Sequence, residues 1–172
     1  HRDLHSVPTR RSSDLHIARD WLTVPAGMNE TAWRKRPAAL ASVGNDTGLV
    51  STPRDIAAFG LMVLHGGISN GGERVVSEAN LKAMFAPSAT NPAYARLWWL
   101  NNSAYTMRAL TGRKEGPLIA AAPADTIAAL GAFDRRLYVV PSHKLVVVRT
   151  GAAAGDKDFD EQLWLRLMKV IG

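Results

Sequence analysis

The stretch from 124 to 151 constrains the fold more than any other part of this 172-residue chain. It contains a short apolar run that ends at Gly131, followed by two β-rich runs, Arg135–Val140 and Lys144–Thr150. A turn that opens with Pro141 separates these two runs. Runs rich in valine, leucine and tyrosine, divided by such a turn, predict an antiparallel β-hairpin. A chain of this length buries roughly 70% of its unfolded surface, so the hairpin can lie at the centre of one domain.

Three helices are expected to cover this sheet. Thr52 is a favourable N-cap for the first, Pro53 suits its first position, and Asp55 stands where a capping-box carboxylate would reach back. Its apolar face ends at two glycines, Gly66 and Gly67. A second helix, about 78 to 85, follows Ser77 as its cap. The last helix is predicted from apolar residues at helical spacing: Phe159, Leu163, Trp164, Leu167, Met168 and Ile171.

The remaining segments are less regular. The aromatic run from 94 to 100 predicts a strand, on which Trp98 and Trp99 face opposite sides of the sheet. The polar segment from 105 to 117 predicts a second strand and a loop, and the residues 44 to 48 predict a turn-rich loop. The spacing of Ile17, Trp21 and Leu22 fits the end of an amphipathic helix. Together these patterns predict an α/β (α+β) fold, an antiparallel sheet flanked by helices.

Composition excludes several function classes. The chain has no cysteine, so disulfides and thiolate metal sites are excluded. His65 and His143 have no partner at metal-ligand spacing, so no metal site is expected. The net charge of +6 is scattered apart from Arg34–Arg36, so no nucleic-acid partner is predicted. No apolar run is long enough to cross a membrane.

The first fifteen residues, HRDLHSVPTRRSSDL, are similar to the translation of a common short-read sequencing adapter. Only one base, in the codon of Val7, departs from that adapter. We therefore expect residues 1–15 to be an artefact that lies outside the fold, although an arginine- and serine-rich disordered arm is the alternative. On this interpretation the authentic sequence begins near His16, and 16–172 is the C-terminal part of one domain.

Several segments, in this order and spacing, resemble the C-terminal half of the β-lactamase-related serine hydrolases. They are Pro25-Ala26-Gly27-Met28-Asn29-Glu30-Thr31-Ala32-Trp33, Gly48-Leu49-Val50-Ser51-Thr52-Pro53-Arg54-Asp55-Ile56, Leu97-Trp98-Trp99-Leu100 and Leu130–Arg149. The family includes class C β-lactamases, D-alanyl-D-alanine carboxypeptidases, esterases and 6-aminohexanoate-dimer hydrolases. The resemblance implies a β-lactamase/transpeptidase-like fold truncated at its N-terminal side, with apolar surface exposed as a result.

In this family a serine in an S-x-x-K motif attacks a carbonyl, while its lysine and the tyrosine of a Y-x-N motif move the proton. No serine of this chain fits S-x-x-K, and Tyr94, Tyr105 and Tyr138 all fail Y-x-N. Thr111-Gly112-Arg113-Lys114 has the spacing of the first motif, with threonine in place of serine, but lies in a polar segment. We therefore expect this chain to be inactive by itself.

The family's third motif, K-T-G or a variant, lies on the strand that edges the active site. The resemblance places Ala129, Leu130 and Gly131 there, with the backbone N–H of Ala132 as an oxyanion donor. Ala129 and Leu130 replace the lysine and threonine that bind a substrate carboxylate, so penicillin hydrolysis is not expected. A core strand without substrate contact is the alternative. Trp98 or Trp99 either lines an acyl pocket or packs in the core.

The resemblance thus implies a serine hydrolase that cleaves carboxylic esters or small linear amides through an acyl-enzyme, with no cofactor. Its partner is a small-molecule ester or amide. A non-catalytic ligand- or peptide-binding relative of the same fold is the alternative. Relatives are often exported, which suggests a periplasmic or extracellular location. The sequence does not indicate an oligomeric state.

Overall fold

The computed structural model describes residues 16–37, 47–108 and 111–172. The predicted artefact, residues 1–15, lies outside the described residues, as does most of the predicted loop at 44–48. After a π-helical turn at Arg19–Thr23, the elements are β1 (Ala32–Lys35), β2 (Thr47–Val50), α1 (Pro53–Leu64), α2 (Glu78–Met84), β3 (Trp99–Leu100), β4 (Tyr105–Arg108), β5 (Gly112–Glu115), β6 (Ile127–Leu130), β7 (Arg136–Val140), β8 (Leu145–Arg149) and α3 (Phe159–Ile171).

The main sheet has four strands in the order β3-β6-β7-β8, and every neighbouring pair is antiparallel. The predicted hairpin is confirmed as β7 and β8, joined by a 3₁₀ turn at Pro141–His143. Lys144 ends that turn in the left-handed region, with φ 49°. This turn sets the register of the hairpin, in which Val140 lies opposite Leu145 and Arg136 opposite Arg149.

Strand β7 is buried on both faces. Leu137 and Val139 belong to a cluster on the α1 side of the sheet, the α1 cluster, whose other buried members are Met62, Val63 and Trp98. Tyr138 and Val140 belong to the α3 cluster, with Leu118, Ile119, Ala128 and Trp164. The Tyr138 and Trp164 rings meet edge to face with centroids 5.3 Å apart, so α3 packs on the sheet as predicted.

The N-terminus of α1 differs from the predicted capping box. Thr52 caps the helix as expected, because its hydroxyl oxygen accepts the Asp55 N–H at 3.2 Å. The Asp55 carboxylate, however, accepts the Glu30 N–H at 2.8 Å and the Thr31 hydroxyl at 2.6 Å. Asp55 is buried, and its carboxylate ties the 28–31 segment to the helix. The Asp55 carboxylate, which was predicted to bond back to the cap, thus accepts hydrogen bonds from the residues that precede β1.

The segment from 94 to 100 is a tight reversal and not the predicted strand. Leu97 has φ 67°, Ala95 N–H donates to the Trp98 carbonyl at 2.8 Å, and Tyr94 pairs with Trp99. Only Trp99 and Leu100 join the sheet. The opposite facing of the tryptophans is confirmed, because Trp98 belongs to the α1 cluster and Trp99 packs against the α3 cluster.

Two hairpins lie outside the main sheet. Strands β4 and β5 pair where one strand and a loop were predicted. Strands β1 and β2 also pair, and β2 begins within the residues that were predicted to form a turn-rich loop. Apolar side chains are exposed on residues 17–24 and on the β1–β2 hairpin: Ile17, Trp21, Val24, Trp33, Leu49 and Val50.

Gly60 tests the close approach of α1 to the hairpin. A Cβ atom at Gly60 would lie 2.6 Å from Cγ1 of Val146 and 2.8 Å from Cδ1 of Leu137. We expect Gly60→Ala to lower the free energy of unfolding by about 1–3 kcal/mol, since overpacking outweighs the gain in helix propensity. Urea unfolding followed by tryptophan fluorescence measures this. In the double variant Gly60→Ala/Val146→Ala, the free energy of unfolding should fall by less than the sum of its falls in the two single variants. A single variant more stable than the wild type would contradict the packing.

Candidate active-site edge

The end of β6 forms an open edge of the main sheet. Strand β7 pairs with β6 from Ile127 to Leu130, but β3 pairs only with Ile127 and Ala128. Within the described residues, no strand pairs with Ala129 or Leu130 on the β3 side. An extended segment of substrate could therefore approach the backbone of β6 from that side.

Ala132 presents a free backbone donor just beyond this edge. Gly131 is extended, with φ −105° and ψ 169°, and its N–H donates to the Arg135 carbonyl at 2.8 Å, towards β7. Successive N–H groups of an extended backbone point to opposite sides, so the Ala132 N–H points away from β7. None of the described residues accepts a hydrogen bond from it. Both Gly131 and Ala132 are exposed.

The turn after Gly131 is held in an uncommon conformation. Phe133 and Asp134 both lie in the left-handed region, with φ 56° and 54°. Non-glycine residues there are strained unless their surroundings fix them. Two arginines do so: Arg136 Nη1 donates to the Gly131 carbonyl at 2.9 Å, and Arg149 Nη1 donates to the Asp134 carbonyl at 2.8 Å.

Two carboxylates hold Arg136 in turn. Its Nη2 donates to Asp134 Oδ1 at 2.6 Å, and its Nε donates to Asp160 Oδ1 at 2.9 Å. Burial lowers the pKa of Arg136, but the hydrogen bond and charge of Asp160, together with the neighbouring Tyr138 and Asp134, outweigh it, so the pKa lies above its usual value. Tyr138 donates its hydroxyl to Asp160 at 2.5 Å, and burial together with this bond raises the pKa of the phenol.

Asp134 is fixed from both sides of its carboxylate. Ala154 N–H donates to Oδ2 at 2.8 Å, opposite the Arg136 contact on Oδ1. This backbone bond, together with the charges of Arg136 and Arg149, lowers the pKa of Asp134 against an opposing desolvation cost.

The other predicted site residues lie on both faces of the sheet. Ala129 packs against the α1 cluster and Leu130 against the α3 cluster. Trp98 is 4% exposed and its ring packs between Phe59 and Phe85, with centroids 6.0 Å and 5.4 Å away. These three side chains contribute to the core, and their contact with substrate stays a prediction.

Trp99 lies closer to solvent than Trp98. Its half-buried ring meets Tyr94 edge to face at 4.8 Å, and the Arg108 guanidinium lies 5.4 Å from its centroid. Trp99 pairs with Ala128, one residue before the uncovered part of β6.

Arg136 and Arg149 were not predicted as site residues, although the sequence carries a signal for them. A hairpin that turns at 141–144 places these two arginines directly opposite each other. Like charges in opposed positions are destabilising unless acceptors lie nearby. This register favours carboxylates or carbonyls at the open end of the hairpin, which is where the Gly131–Arg135 turn lies.

Other kinds of site find no support in the described ranges. They contain no group of three or more histidine, cysteine or acidic side chains that could hold a metal ion. No helix within them is long and apolar enough to cross a membrane. An apolar pocket between the π-helical turn and the β1–β2 hairpin includes no residue of β6 or the Gly131–Arg135 turn; it is lined by His16, Arg19, Thr23, Thr31, Ala32, Trp33 and Leu49.

Comparison with known proteins rests on structure. No protein-family model matches the chain, and no curated protein matches it. A solved structure described as a "putative beta-lactamase from Bacteroides dorei DSM 17855" is similar, with a TM-score of 0.59 and 14% identity. The match covers 89% of this chain and 49% of that one. The chain therefore has the β-lactamase-like fold.

A second similar structure is described as a "Putative 6-aminohexanoate-dimer hydrolase from Bacillus anthracis". Its TM-score is 0.49 at 19% identity, over 74% of this chain and 32% of that one. The chain thus spans half or less of the length of both solved structures.

The lowered pKa of Asp134 predicts a pH-dependent contribution to stability. A depressed carboxyl pKa stabilises the folded state above the unfolded pKa of about 4, and this contribution is lost as the pH falls through the folded pKa. We expect the free energy of unfolding to fall more steeply below about pH 4 in the wild type than in Asp134→Asn. Urea unfolding from pH 7 to 3 measures this, with Asp156→Asn at an exposed position as control. Parallel curves for wild type and Asp134→Asn would contradict it.

Proposed function

We propose that this chain is the C-terminal part of a serine hydrolase that cleaves carboxylic esters or small linear amides through an acyl-enzyme. One observation carries the proposal: the free Ala132 N–H follows an extended glycine at the open edge of β6, in a β-lactamase-like fold. Acyl transfer by a serine requires such a donor, because negative charge develops on the carbonyl oxygen when the nucleophile adds.

The Ala132 N–H would stabilise this oxyanion. One preorganised donor of this kind typically contributes about 3–4 kcal/mol to transition-state stabilisation. Gly131 leaves the approach open, since a Cβ there would meet only Arg135, at the ordinary contact distance of 3.5 Å. Substrate backbone or an acyl chain would lie along Ala129 and Leu130 on the uncovered side of β6, with Trp99 next to it.

The identity of Ala129 and Leu130 bears on substrate class. Neither side chain can donate a hydrogen bond or carry a positive charge, so the strand offers no side-chain partner to a substrate carboxylate. β-Lactams and peptides with a free carboxylate would therefore bind poorly. Neutral esters and small linear amides make no such demand, which favours them as substrates.

The nucleophile would come from sequence that this chain does not contain, because no serine here fits S-x-x-K and no tyrosine fits Y-x-N. We further propose that residues 1–15 are adapter-derived and that the domain of the gene continues upstream of His16. The absence of both motifs also favours a second candidate, a ligand- or peptide-binding relative that has lost its chemistry.

Labelling with a fluorophosphonate tests whether the chain alone holds an activated serine. We expect no adduct in the intact mass of the 16–172 chain, since a serine hydroxyl without a base within reach is a weak nucleophile. Heat-denatured chain serves as the background control. A stoichiometric adduct on one serine of the folded chain alone would contradict the proposal.

A long read of the source DNA across the codon of His16 separates the two candidates. A frame that continues upstream into S-x-x-K and then Y-x-N supports the hydrolase. A continuous frame that lacks both motifs supports the binding relative and overturns the hydrolase.

Ala132→Pro in the longer gene product tests the oxyanion donor. Proline removes the N–H, and it fits the first position of the 3₁₀ turn because the preceding Gly131 is extended. We expect kcat for a p-nitrophenyl ester to fall about 10²–10³-fold with a much smaller change in KM. Ala132→Ser keeps the N–H and is the matched control, expected to retain most activity. An unchanged kcat in a folded Ala132→Pro enzyme would remove Ala132 from the mechanism.

A further inference from the structure

We propose that Arg136 is a positioning residue that fixes the direction of the Ala132 N–H, and that Arg149 supports it by fixing the rest of the Gly131–Arg135 turn. The inference rests on the proposed function only for its catalytic meaning. Its physical content, the orientation of one peptide plane, can be tested in the chain as it stands.

The geometry of a single peptide unit carries the first step. The Gly131 carbonyl and the Ala132 N–H belong to the same planar trans peptide, so they point in opposite directions. Arg136 Nη1 donates to that carbonyl at 2.9 Å and to the Arg135 carbonyl at 3.2 Å. The bond to the Gly131 carbonyl therefore aims the Ala132 N–H away from Arg136. If this peptide flipped, the carbonyl oxygen would take the place of the donor and repel an oxyanion.

Arg149 fixes two later peptides of the turn, Phe133-Asp134 and Asp134-Arg135, in the same manner. Its Nη1 donates to the Phe133 carbonyl at 3.3 Å and the Asp134 carbonyl at 2.8 Å, and its Nη2 donates to the Ala152 carbonyl at 2.9 Å. Phe133 and Asp134 are the two left-handed residues. The left-handed conformation is strained for a non-glycine residue, so the turn needs such external bonds to persist.

Arg136 is itself held too firmly to follow the turn. Its side chain is only 11% exposed and forms ion pairs with Asp134 at 2.6 Å and with Asp160, from the first turn of α3, at 2.9 Å. A half-buried guanidinium with two carboxylate partners is held as a fork and is not a mobile surface charge. The orientation of the Ala132 N–H is therefore set by contacts with the sheet and with α3, and not by the turn alone.

Selective isotope labelling isolates this peptide. Glycine labelled with ¹³C at the carbonyl and alanine labelled with ¹⁵N give signals only from Gly-Ala pairs, and the chain has two, Gly131-Ala132 and Gly151-Ala152. The N–H residual dipolar coupling of each pair, measured in a weakly aligned sample, reports the direction of its N–H bond. The full 172-residue chain is used, without substrate.

We expect Arg136→Ala to reduce the Gly131-Ala132 coupling at least twofold, or to split the signal, while Gly151-Ala152 keeps its wild-type value. Guanidinium chloride at tens of millimolar, far below denaturing concentrations, should restore the coupling, because the free ion can occupy the vacated site between carbonyl and carboxylates. Arg135→Ala is the matched control, since it removes a charge from the same turn and its guanidinium, which lies 5.3 Å from the Phe133 ring centroid, donates to no carbonyl of the described residues. The backbone N–H of residue 135, which donates to the Ala132 carbonyl at 3.3 Å, is kept in this variant. This variant should change neither signal.

A folded Arg136→Ala chain with an unchanged Gly131-Ala132 coupling overturns the proposal. A loss of both couplings together, without rescue by guanidinium, also overturns it, because a purely structural role predicts that result. If Arg136→Ala does not fold, Arg136→Lys replaces it. One ammonium group cannot hold Asp134, Asp160 and the Gly131 carbonyl together in the geometry of a guanidinium. A twofold reduction of the Gly131-Ala132 coupling is therefore expected in Arg136→Lys as well. An unchanged coupling in that variant refutes the proposal. None of these outcomes depends on hydrolysis, so the failure of this proposal can be told apart from the failure of the proposed hydrolase function.

Discussion

The burial of β7 on both faces is the constraint on which the rest of the structure depends. Its side chains alternate between the α1 and α3 clusters, and Tyr138, Val139 and Val140 are fully buried. A strand enclosed in this manner must satisfy its backbone through neighbours on both sides, which β6 and β8 provide. Strand β6 pairs with β7 as far as Leu130, whereas β3 pairs with β6 only at Ile127 and Ala128. The open edge and the turn at Gly131 therefore lie where β6 extends beyond β3, next to the buried strand β7.

The elements that sequence predicted well are those whose signals are local. The β7–β8 hairpin follows from two β-branched runs around Pro141, and α1 follows from Thr52 and Pro53 at one end and two glycines at the other. The final helix follows from its apolar spacing. In each case the residues that specify the element lie within it or next to it, so no knowledge of distant contacts was needed.

The elements that sequence missed depend on distant contacts. Leu97 lies in the left-handed region, and the chain reverses there so that Tyr94 pairs with Trp99. An aromatic run carries no sequence signal for such a reversal. Asp55 binds Glu30 and Thr31, which lie about 25 residues upstream. For the candidate site, a motif resemblance located Gly131 and Ala132. Only the structure revealed that Arg136 donates a hydrogen bond to the carbonyl of the Gly131-Ala132 peptide. That bond depends on both the register of β7 and the conformation of the turn, which the sequence does not give.

The charge cluster at the open end of the hairpin also shapes how this region can open. Arg136 and Arg149 face each other across the two strands, and between them they bind the Gly131–Arg135 turn, the 152–154 segment and Asp160 of α3. No one of these parts can separate without breaking guanidinium bonds to the others. The end of the hairpin, the turn and the start of α3 should thus behave as one cooperative opening unit, with exchange of their protected amides governed by a shared free energy and not by three separate ones.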